Sequence, residues 1–75
     1  MASDDHIQVE GVITDAGRAG IFKVLGRRGE IEMDLVCKPS GKIRMNRINL
    51  VVGDKVLVNV SPYDLTRGVI IRRLK

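Results

Sequence analysis

The 75-residue sequence has one cysteine, one histidine, two prolines, two aromatic residues and no tryptophan. A single cysteine excludes an internal disulfide framework and a zinc site built on cysteines. With His6 as the sole imidazole, no second one can share a metal ion with it, and its place in a polar segment reads as solvated. Phe22 and Tyr63 cannot form a platform on which several bases stack in succession. No apolar run approaches the roughly 18–20 residues of a membrane span, so no membrane partner is expected. Residues 1–6, MASDDH, lack the basic and apolar regions of a secretory signal, and their acidic pair argues against a transit peptide. They read as a flexible N-terminal tail on a cytoplasmic protein, with residues 7–75 as one small domain. A chain this short has no room for a cleft between large lobes.

Charge is present and unevenly divided. The net charge is +4, yet residues 1–37 hold four basic and seven acidic side chains (−3), and residues 38–75 hold nine basic and two acidic ones (+7). Such segregation points to a polyanionic partner for the second half, against the plainer reading of a solvated face that keeps the protein soluble. Lys38, Lys42, Arg44 and Arg47 fall within ten positions that contain no acid, and Arg67, Arg72, Arg73 and Lys75 form a second group. Lysine and arginine suit phosphates, and the arginine fork also stacks on bases. Asn46, inside the first group, can donate to a base edge or a 2′-hydroxyl. Lys23 and Arg18 extend the surface from the first half. With so few rings, recognition must rest on phosphate contacts, arginine stacking and shape, which favours folded RNA over free single strands.

No catalytic constellation accompanies these residues, and no enzyme or cofactor is expected. Cys37 stands beside Lys38 but has no imidazole base near it in sequence, so it reads as a small hydrophobe. Glu30, Glu32 and Asp34 alternate with apolar residues as the wet face of a strand does. The GRRG string at 26–29 is not followed by the GK[ST] of a phosphate loop.

Period-two alternation runs through most of the chain. Ile7, Val9, Gly11 and Ile13 share one side of a first strand, with Gly11 expected to mark a bulge or a bend. Residues 15–20 (DAGRAG) read as a turn, and Phe22 and Val24 oppose Lys23 in a second strand. GRRG makes the next turn, and residues 30–36 form a third strand. Pro39, Ser40 and Gly41 break the sheet, and residues 38–49 form a short helix or an ordered loop. Val56, Val58 and Val60 share a face of a fourth strand, residues 61–68 (SPYDLTRG) connect, and residues 69–74 supply a fifth. The expected fold is all-β: a five-stranded Greek-key barrel with a helical or loop segment between strands 3 and 4. Such a closed sheet leaves few exposed edges. An SH3-like barrel is the structural alternative.

Gly41-Lys42-Ile43-Arg44-Met45-Asn46 with Ile48, then Gly53-Asp54-Lys55-Val56, then Ser61-Pro62-Tyr63-Asp64-Leu65-Thr66-Arg67-Gly68 resemble bacterial translation initiation factor one. Ile7, Gly11, Phe22, Val24 and Gly29 match at their spacings, so the resemblance spans nearly the whole chain. It implies an OB-fold barrel that binds the small ribosomal subunit at the A-site decoding region, against ribosomal RNA and an adjacent ribosomal protein. It further implies a monomer that blocks premature tRNA entry and assists initiation factors two and three. The RNA-binding set is then Lys23, Lys38, Lys42, Arg44, Asn46, Arg47, Arg67, Arg72 and Arg73. Pro62, Tyr63, Asp64 and Gly68 are expected to shape the loop, proline by pre-setting φ and glycine by permitting φ > 0. The chain departs from the family pattern at Arg47, Asn49, Val69 and Arg72, and has about three additional residues between Gly29 and Gly41. A cold-shock-like RNA chaperone on the same barrel, and a protein-interaction barrel for an acidic partner, are the competing functions.

Overall fold

The computed structural model describes residues 7–74; the tail expected over residues 1–6, and Lys75, lie outside the described residues. Five strands, β1 (Ile7–Ala16), β2 (Phe22–Arg28), β3 (Ile31–Pro39), β4 (Lys55–Ser61) and β5 (Asp64–Leu74), surround one core, with a helix α1 (Gly41–Met45) between β3 and β4. The sheet closes in the order β1-β2-β3-β5-β4. Neighbours are antiparallel except β3 and β5, which run parallel from Val36–Arg67 to Pro39–Ile70. Closure comes from β1 against β4, where Ile7 faces Val60 and Val12 faces Lys55. This is the five-stranded OB-fold barrel expected from the sequence.

Alternation places the core. Val9, Ile13, Val24, Leu35, Cys37, Val56, Val58, Val60 and Ile70 point inward, Ile43 of α1 plugs one end, and Phe22 packs against them half-buried. All of these are small or medium aliphatics apart from Cys37 and Phe22, which suits the narrow lumen of a small barrel. Two glycines are required by closeness. A Cβ at Gly11 would lie 2.6 Å from Val24 Cγ1 and 2.8 Å from Leu25 O, and one at Gly68 would lie 2.5 Å from Val58 Cγ1 and 3.0 Å from Asn59 O.

Several expected boundaries shift. Gly11 pairs in register with Gly26; the irregularity in β1 falls between Ile13 and Asp15 instead. The turn expected over GRRG shrinks because Arg27 and Arg28 stay paired with Glu32 and Ile31, leaving Gly29, at φ +64°, and Glu30 to reverse the chain. Pro39 closes β3 rather than breaking it: a terminal strand position needs no N–H from proline, and the next one, Ser40 N, donates to Ile70 O at 2.8 Å. β3 therefore runs through Pro39 and leaves Ser40 alone before α1. The SPYDLTRG segment is mostly strand, with a two-residue turn at 62–63. Gly68 consequently sits inside β5, outside the left-handed region, and its place is explained by the approach of β4.

Candidate nucleic-acid interface

Ser40 starts α1: its Oγ accepts from Ile43 N at 3.2 Å. The helix ends in a Schellman arrangement, with Arg47 N donating to Arg44 O and Ile48 N to Ile43 O, both at 3.2 Å. Arg47 takes the left-handed position at φ +54°, where glycine is usual. The segment between β3 and β4 therefore opens with a capped helix and continues as an irregular loop, and the two helix ends fix where Arg44 and Arg47 stand.

Lys23 on β2 faces Val36 on β3, and Val36 faces Arg67 on β5, so these three form one row across the outer barrel wall. A hollow of about 530 Å³ lies along it, lined by Ile21, Val36, Lys38, Thr66 and Arg67. Lys38 also lines a neighbouring hollow with Ala19, Gly20, Pro39 and Arg44. Arg44 then borders a third with Phe22, Ile48 and Arg47. Lys23, Val36 and Thr66 share a fourth, which Asp34 also lines. Five of the expected residues, Lys23, Lys38, Arg44, Arg47 and Arg67, thus border one run of concavities from β2 across β3 and β5 to the end of α1. In OB barrels the face of strands 2 and 3, flanked by the loops between strands 1 and 2 and between strands 4 and 5, holds oligonucleotides. Here the loop between β1 and β2 contributes Ala19, Gly20 and Ile21, and β5 contributes Thr66 and Arg67.

The remaining expected residues stand apart from that run. Lys42 and Asn46 are exposed on α1 and its C-cap, adjacent to it but outside these hollows. Arg72 lies beside Leu57 of β4, five residues beyond Arg67 along β5 or about 17 Å at strand spacing. Arg73 has a structural tie: its Nη1 donates to Asn49 O at 3.1 Å, holding the segment after α1 to β5.

Among the described residues, Lys23, Lys38, Arg44 and Arg47 make no ion pair, and Arg67 meets Asp64 at 3.5 Å. That pair is largely exposed and gives way readily to a phosphate. Asp64 organises the start of β5, accepting from both the backbone N and the hydroxyl of Thr66. The Thr66 hydroxyl first, then the Thr66 N–H, and more weakly the Arg67 charge hold the Asp64 carboxyl below its ordinary range. At the turn, Tyr63 N donates to Ser61 Oγ at 3.1 Å, and the residue as a whole is 88% exposed. Cys37 is buried, and desolvation pushes its thiol up to about 11, in keeping with a small hydrophobe.

Thr66, Val36 and Ile21 belong to the face and escaped the sequence reading. Val36 carried a signal, since the alternation of β3 sets it on the wet side with Glu32 and Asp34, and it is 44% exposed. The described residues contain no cluster of three or more His, Cys, Asp or Glu side chains able to hold a metal ion, and no helix among them is long and apolar enough to cross a membrane.

A scan against protein-family models returned no match. Among solved structures, the chain is similar to translation initiation factor one from the Wolbachia endosymbiont strain TRS of Brugia malayi. The two are 40% identical over 97% of this chain and 83% of that one, with a TM-score of 0.73. The chain belongs to the translation initiation factor one family. Two larger proteins contain a similar barrel. YjeQ from Thermotoga maritima is 25% identical with a TM-score of 0.70, and YloQ, a circularly permuted GTPase, is 24% identical with a TM-score of 0.75. The match covers 23% and 24% of those chains, so in them the barrel is one part of a longer protein, whereas it makes up most of the initiation factor. Membership of the initiation factor one family makes this chain a translation initiation factor, and the barrel with its α1 insertion is the scaffold that carries the basic face.

Proposed function

We propose that the protein binds the small ribosomal subunit at the decoding region of the A site, occupies it against premature tRNA entry, and assists initiation factors two and three from there in the cytoplasm. The observation that carries this reading is the continuous run of Lys23, Lys38, Arg44, Arg47 and Arg67 along one wall of the barrel. Its physical basis is charge and shape. A rigid barrel about 29 × 28 × 23 Å across presents its cations at fixed spacing, and the site asks for occupancy rather than bond making. Lys23, Lys38, Arg44 and Arg47 make no ion pair among the described residues, and Arg67 makes only an exposed one, so their charges are open to phosphates. Structured RNA fits such a surface because its phosphates are also at fixed spacing, so little ordering free energy is lost on docking.

Co-sedimentation with purified small subunits followed by RNA footprinting tests it. Stoichiometric binding with protection confined to the decoding region is expected, with loss of both on Arg44→Glu combined with Lys42→Glu. Simultaneous, non-interfering binding of a decoding-site aminoglycoside and this protein would contradict the placement.

A further inference from the structure

We propose that Tyr63, on the β4–β5 turn four residues before Arg67, is a stacking anchor for one unpaired nucleobase of the bound RNA. The inference rests on the RNA reading above and adds to it the kind of nucleotide the site takes. Tyr63 is the single tyrosine of the chain, and the residue is 88% exposed at the β4–β5 turn. The fold makes almost no use of that ring. Tyrosine is a large apolar body with a polar tip, suited to a surface that becomes half-dry on contact. The turn beneath it is held firmly: Ser61 Oγ accepts from Tyr63 N, and Asp64 Oδ1 accepts from Thr66 N at 3.0 Å. An aromatic ring with few rotatable bonds on a fixed turn loses little freedom when it is covered.

RNA, rather than a protein pocket, is the occupant that the surroundings favour. Three residues further along the chain come Thr66 and then Arg67, which line the 530 Å³ hollow with Lys38 and Ile21. Asp64, the acid nearest in sequence, is already engaged by Thr66 and Arg67. Tyr63 precedes Arg67 by four residues, at most about 14 Å of chain, so an RNA seated on Arg67 and Lys38 is within reach of the ring. Bases splayed from bulges and internal loops are the parts of structured RNA that stack on aromatic rings. One ring takes one base. This distinguishes the surface from strand-binding platforms with several rings, and it places the base-reading element on the turn while the barrel wall holds phosphates.

The absence of tryptophan makes the test direct, because tyrosine emission from this protein comes from Tyr63 alone. The probes are an RNA hairpin whose internal loop holds unpaired purines, and the same hairpin fully paired. The looped hairpin is expected to quench Tyr63 emission and the paired one to leave it nearly unchanged. Tyr63→Ala should bind the looped hairpin roughly 5- to 150-fold more weakly, the range set by one lost base–aromatic stack, while Tyr63→Phe keeps the affinity. Exposure of the side chain means that both variants fold, which thermal melting confirms. Equal binding of Tyr63→Ala and the parent, or unchanged emission at saturation with both hairpins, overturns the stacking role. A Tyr63→Ala defect seen with purified small subunits but not with the looped hairpin overturns it too and assigns the ring to a protein contact. Retained hairpin binding by Lys38→Glu combined with Arg67→Glu would instead strike the basic face as the seat of the RNA, and failure of the parent to bind either hairpin would strike the RNA reading, so the failures are distinguishable.

Discussion

Arg47 holds φ +54°, a region that disfavours every side chain with a Cβ. Glycine is the usual residue at this step of a Schellman ending, and the chain keeps an arginine there beside Arg44. Arg47→Gly is expected to raise stability by up to about 1 kcal/mol by denaturant titration. The same change should reduce the salt slope of RNA binding by about 0.7–0.9, the share of one phosphate contact. A variant that binds RNA like the parent would show that the strain serves no contact. Gly68→Ala has the opposite balance, since its Cβ meets Val58 Cγ1 at 2.5 Å and Asn59 O at 3.0 Å. A loss of about 1–3 kcal/mol is expected, because β4 backbone cannot retreat without opening the barrel. At Cys37 the folded thiol ionises near 11 against an ordinary 9.0. A raised pKa stabilises the fold below the unfolded value and loses that contribution as pH rises from 9.0 towards about 11. Iodoacetamide at neutral pH should therefore label the protein only after denaturant is added.

The elements were legible to different degrees, for physical reasons. Strands with one wet face announce themselves by alternation, as β1, β3 and β4 do at Val9–Ile13, Ile31–Leu35 and Val56–Val60. The parallel seam between β3 and β5 left no such mark, because pairing partners at Val36 and Arg67 are chosen by closure and not by local composition. The start of β5 was hidden for a related reason: Asp64, Leu65 and Thr66 carry turn-type chemistry, yet Ser61 pairs with Asp64 and the strand begins there. Of the candidate face, the cations could be read from clustering, but which of them converge depended on strand register. Arg72, apart from the run, and Arg73, tied to Asn49, could not be told from Arg67 by sequence. At this scale Ser40→Ala should destabilise α1 by about 0.5–2 kcal/mol and weaken RNA binding through Arg44, read by melting and by hairpin titration. The β4–β5 turn carries an acid response. With its pKa depressed in the folded state, Asp64 stabilises the turn fully above its ordinary value of 3.8 and stops doing so as pH falls below it. The Thr66 amide resonance should follow that titration, and Asp64→Asn should abolish it.

For the whole molecule, charge is arranged as a face, and salt should report its size. Five converging cations predict a slope near −4 for the logarithm of RNA affinity against the logarithm of salt concentration, at about 0.7–0.9 per phosphate. A slope near −1 would mean that the convergence does not operate in the complex. The same architecture that fixes the cations also sets how the chain must fold. Ile7 pairs with Val60 and Val36 with Arg67, so both seams that close the barrel join residues far apart in sequence. Neither seam can be won by local nucleation, and a half-closed sheet would expose Val58 and Ile70 to water. Folding is accordingly expected to be slow for so short a chain, in milliseconds to seconds, and to show a single kinetic phase. A factor built this way is either fully assembled with its cations in place or offers no binding face at all.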